Sequence, residues 1–149
     1  MTRREAFINA ITNPAVRKRV YKEAREILPT ISARCALTVW LFCRESGLAL
    51  KPHARPTVIM YTVDLYRALL KAGATRVDDP CALKRGDICF SKDKNETPGP
   101  DHVYVFHSSE PDFPKSGLIV DNYEVNQHHR NIKAGGPKTP FDYALRLPG

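Results

Sequence analysis

With 149 residues, 42% hydrophobic and 26% charged, the chain is long enough to bury one core and has the composition of an ordinary globular protein. Its net charge of +7 suits polyanions in general, whether nucleic acid, anionic lipid or an acidic cell-wall polymer. No apolar run approaches the roughly 18 residues of a membrane span. The first ten residues, with two arginines and an early glutamate, do not form a signal peptide. The expectation is a protein made in the cytoplasm that reaches any site outside it by release or specialised export.

The first third reads as helical. Phe7, Ile8 and Ile11 mark a short helix. Thr12-Asn13-Pro14 then supplies a cap and a proline at a first helical position, and Val16, Val20 and Ile27 give an apolar stripe that Pro29 stops. Arg17, Lys18, Arg19, Lys22 and Arg25 fall in this helix, interleaved with Glu23 and Glu26, and are expected mostly on its solvated face. After a connector in which Ser32 is a candidate cap, Cys35 to Gly47 reads as one amphipathic helix closed by glycine. Lys51 to Pro56 is a loop, and a further helix is expected from about Thr57 to Ala72.

From Gly73 the texture changes to strands and turns. The turn Leu83 to Asp87 feeds a strand at Ile88 to Phe90, and the polar stretch Ser91 to Asp101 reads as an exposed loop. Strands are expected at His102 to His107, Leu118 to Asn122, Asn126 to Ile132 and Phe141 to Leu147. Helices first and strands after argue for an α+β domain, its helices packed on one side of an antiparallel sheet. The whole chain reads as a single domain, with 1–29 as an N-terminal helical extension and 30–149 as the core. Tyr104 and Phe106 are expected to pack against a helix, and Trp40 to belong to the core.

The four cysteines form no C-x-x-C, and their spacing resembles neither a zinc site nor a disulfide framework. Cys43 and Cys89 read as small buried hydrophobes. Cys35 differs because it opens a helix, and His102 opens a strand 67 residues later (102 − 35). A helix N-terminus beside an imidazolium lowers a thiol from near 8.5 to about 3.5–7.5, which makes a nucleophile of it. His102 would act as general base and acid, and backbone N–H groups at the helix start would hold an oxyanion. Asp121 or Asn122, at the end of the next strand, would orient the imidazole, although Asp-Asn at a strand end is also ordinary turn chemistry.

Several of these segments carry a family pattern. Arg34-Cys35-Ala36-Leu37-Thr38-Val39-Trp40 through Gly47-Leu48 resembles the nucleophile helix of the NlpC-type and CHAP-type papain-like cell-wall peptidases. Leu83-Lys84-Arg85-Gly86-Asp87-Ile88-Cys89-Phe90 is similar to their L-x-x-G-D-apolar motif, and Asp101-His102-Val103-Tyr104-Val105 to their histidine strand. Val120-Asp121-Asn122 stands where the third polar residue is expected, and Tyr143 to Pro148 is similar to the closing strand. The family often has Asp-Cys-Ser-Gly where this chain has Arg34-Cys35-Ala36-Leu37. The resemblance covers about residues 30 to 149. It implies a papain-like fold and a cysteine amidase or endopeptidase that cleaves peptidoglycan peptides without cofactor or metal. Phage lysins and exported antibacterial effectors both fit it.

The remaining histidines have plainer readings. His107, His128 and His129 lack the carboxylate or cysteine spacing of a metal site; His128 and His129 suit solvated strand positions, or the lining of a substrate cleft. His53 reads as a surface loop residue. Two other functions use the same features differently. An acyltransferase or transglutaminase-like enzyme would keep the Cys-His-Asp chemistry with another acceptor. A non-enzymatic module would bind nucleic acid through the Arg17 to Arg25 helix, but that helix matches no nucleic-acid motif and is interrupted by acidic residues.

Overall fold

The capping chemistry near the N-terminus shapes the first two helices in a computed structural model that describes residues 1–29, 34–50, 62–92, 102–111, 116–132 and 141–149. Helix α1 (Arg3–Thr12) opens on a capping box, in which the Glu5 N–H donates to Thr2 and the Thr2 N–H donates back to the Glu5 carboxylate. Helix α2 (Pro14–Ile27) starts with Asn13 accepting from the N–H groups of Ala15 and Val16, Pro14 holding the first position. Helices α3 (Cys35–Glu45) and α4 (Thr62–Lys71) follow. Residues 57–61 of the expected third long helix, together with Ser32 and the loop containing His53, lie outside the described residues.

Six strands form one antiparallel sheet: β1 (Thr75–Val77), β2 (Ile88–Ser91), β3 (His102–Ser109), β4 (Ser116–Val120), β5 (His128–Asn131) and β6 (Phe141–Arg146). Their spatial order is β1-β6-β2-β3-β4-β5, so the last strand lies between the first two. The α+β class is as expected. β1 was not expected, because three residues with two exposed side chains leave no apolar pattern to read.

Helix α3 is central rather than amphipathic. Every residue from Cys35 to Cys43 is buried, because α1, α2 and α4 surround it and β3 lies beneath it. The main cluster joins Phe7, Ile11, Val20, Leu37, Leu41 and Leu65 from the helices to Ile88, Phe90, Val103, Val105 and Leu145 from the sheet. The alternation along β3 was legible, but the face was not. Val103 and Val105 meet the helices, while Tyr104 and Phe106 join Cys89, Ile119, Ile132 and Ala144 in a second cluster. The first five residues of β3 are buried on both faces, which leaves no polar side by which to choose. Trp40, Cys43 and Cys89 are buried.

The basic run on α2 is not a uniform solvated stripe. Arg17 is buried, and its Nη1 donates to the Ile11 carbonyl at 3.1 Å near the end of α1. Arg19 pairs with Glu45 at 3.1 Å, and Arg44 with Glu23, so both signs of charge tie α2 to α3.

A second polar anchor joins the last strand to the second. Asp87, fully buried, takes Arg146 Nε on Oδ1 at 2.8 Å and Arg146 Nη2 on Oδ2 at 2.7 Å. The Lys84 N–H adds a third bond at 2.8 Å. Gly86, at φ +91°, makes the preceding turn possible.

Candidate active site

Three element ends meet. Cys35 is the first residue of α3, His102 the first of β3, and Asp121 follows the last residue of β4. Pairing of Val105 with Val120 runs the end of β4 past the start of β3, and pairing of Ile119 with His128 brings β5 alongside. The backbones of Val103, the residue after His102, and of Ala36 lie close enough to the Cys35 thiol to favour its charged form.

His102 Nε2 lies 3.3 Å from Asp121 Oδ2. The other oxygen, Oδ1, accepts from the Tyr123 N–H at 2.9 Å and lies 2.8 Å from His128 Nε2. An ionised carboxylate only accepts, so the facing nitrogen of each ring carries the proton. For His102 this assigns N–H to Nε2 and leaves Nδ1 as the basic nitrogen of the neutral ring. The His102 ring packs on Tyr104, with centroids 5.9 Å apart, and beside Tyr123 at 5.6 Å. Beneath them Arg130 covers the Tyr104 ring at 4.6 Å and reaches Ser91.

Burial opposes the charge on Asp121, but the hydrogen bonds from His102 and His128 outweigh it and hold the carboxyl well below the usual range. The same contact with Asp121 raises His128, against a smaller opposing effect of burial. Cys35 moves against expectation. Burial pushes its thiol up and the Asp121 charge adds to the rise, while the Val103 and Ala36 backbones pull it down by less. The helix start is present, but at 6% exposure desolvation is the larger effect.

Of the residues picked from sequence, His102 and Asp121 are in side-chain contact, and Cys35 lies beside the backbone of Val103, where the Asp121 charge acts on its thiol. Asn122 is buried at the next position, and the oxygen found on the His102 ring belongs to Asp121. His128 is the residue that the solvated-strand reading missed. Its link to Asp121 depends on the β4–β5 register, which no local pattern announces. His129 pairs with Glu110 on an exposed side chain, and His107 bonds to Ser108. The described residues contain no group of three or more His, Cys, Asp or Glu side chains suited to a metal ion. None of the described helices is long and apolar enough to cross a membrane. No family model, curated protein or solved structure matches the chain.

Proposed function

We propose that the protein is a papain-like cysteine hydrolase that cleaves amide bonds in peptidoglycan peptides. One observation carries the chemistry: a thiol that opens helix α3 lies against the backbone of β3, whose first residue is a histidine with a ring nitrogen 3.3 Å from a buried carboxylate. The substrate class rests on the resemblance of the Cys35, Gly86-Asp87 and His102 segments to cell-wall peptidases. The basic chain suits an anionic envelope reached by release or specialised export.

Burial favours the neutral thiol, so in this reading the thiol gives up its proton as it attacks. His102 Nδ1 takes the Cys35 proton as sulfur attacks the amide carbonyl carbon, and Asp121 stabilises the imidazolium that forms. Backbone N–H groups at the start of α3 receive the oxyanion. The C–N bond then breaks, His102 protonates the departing amine, and the acyl group remains on sulfur. Water, deprotonated by His102, attacks the thioester and releases the acid and the thiol.

The test is lysis of purified cell walls with release of new amino groups. Cys35→Ala should reduce both to background while circular dichroism stays unchanged, and His102→Ala should lower the rate by about 10²–10⁴-fold. Full lysis by folded Cys35→Ala protein would overturn the proposal.

A further inference from the structure

Asp121 has left the β4 ladder, so its own hydrogen bonds decide how its carboxylate is turned. Oδ1 is held from two directions, by the Tyr123 N–H at 2.9 Å and by His128 Nε2 at 2.8 Å, and Oδ2 faces His102 at 3.3 Å. The Tyr123 contact is a local turn of the kind Asp makes with its own backbone two residues on. The His128 contact is long-range and comes from β5, an edge strand. We propose that His128 is a positioning residue, which occupies Oδ1 so that Oδ2 stays directed at His102. This rests on the Cys35–His102–Asp121 reading above.

The two imidazoles use different oxygens, so His128 fixes the rotation of the carboxylate without taking the oxygen that His102 needs. His128 is itself held: Ile119 pairs with it across β4–β5, and its side chain is only 21% exposed. The charged and titratable groups around this corner are Asp121 and Glu124 beside His128, and His102, Tyr123, Cys35 and Arg130 around Asp121 and Tyr123.

The experiment is a double-mutant cycle read on the His102 ring by NMR in the full chain. It compares wild type, Asp121→Asn, His128→Leu and the double variant. Removing the Asp121 charge should lower the His102 pKa. In the His128→Leu background that drop should shrink by about half or more, and His128→Gln, which keeps an N–H donor, should restore it. A drop of equal or greater size in His128→Leu would overturn the inference. A second reading needs no variant. The ring ¹⁵N shifts of wild-type His128 above its pKa should show the proton on Nε2; a proton on Nδ1 would leave Nε2 unable to donate and would also overturn it. Both readouts are independent of the substrate. A Cys35→Ala protein that still lysed walls would refute the hydrolase and leave the cycle intact. A Cys35-dependent enzyme with an additive cycle would refute the role of His128 alone.

Discussion

Asp121 and His128 share a hydrogen bond that moves their proton affinities in opposite directions. A carboxyl held low in the folded state stabilises the fold above its unfolded value and loses that contribution as pH falls through the folded one. An imidazole held high stabilises below its unfolded value and loses the contribution as pH rises through the folded one. With unfolded values near 3.9 and 6.5, the pair contributes most between about pH 4 and pH 6.5. The melting temperature of Asp121→Asn should therefore fall furthest below wild type in that window, with a smaller deficit on both sides, as thermal melts across pH would measure. A deficit that grew steadily toward alkaline pH would contradict the pairing. Cys35 and His102 were legible in sequence because each opens an apolar element, a local pattern. The raised thiol and the second imidazole were not, since one follows from burial and the other from register.

The turn before β2 shows how closely packed elements constrain single positions. Gly86 and Gly47 both have positive φ, at +91° and +81°. A Cβ at Gly86 would stand 2.7 Å from Ile8 Cγ1 on α1, whereas at Gly47 it meets nothing within 4 Å. Gly47→Ala should cost only the conformational penalty of about 1–2 kcal/mol. Gly86→Ala should cost more, because the Ile8 side chain on α1 must give way as well, and urea titrations of the two variants should rank them so. The sequence made the glycines visible as helix stop and turn, but nothing local marked that α1 would lie over one of them. The same reason explains α3. Its run from Cys35 to Cys43 reads as one apolar face until three other helices enclose it, and then no face is left to solvent.

Across the molecule, the class was readable from the order of the elements, helices before strands, while the place of β6 was not. It inserts between β1 and β2 and brings Arg146 to the buried Asp87. Arg146→Ala would leave that carboxylate with the Lys84 N–H, a loss on the order of 3 kcal/mol for a broken buried pair, measurable by denaturant unfolding. The insertion also sets an order on biosynthesis. As the chain leaves the ribosome, α1 to α4 and the β2-to-β5 meander can assemble from residues already made. Their neighbour β1 cannot join, and the outer edge of β2 stays open, until Phe141–Arg146 has been made. The strands that carry His102 and lead into Asp121 are thus made before the strand that locks the sheet around Asp87.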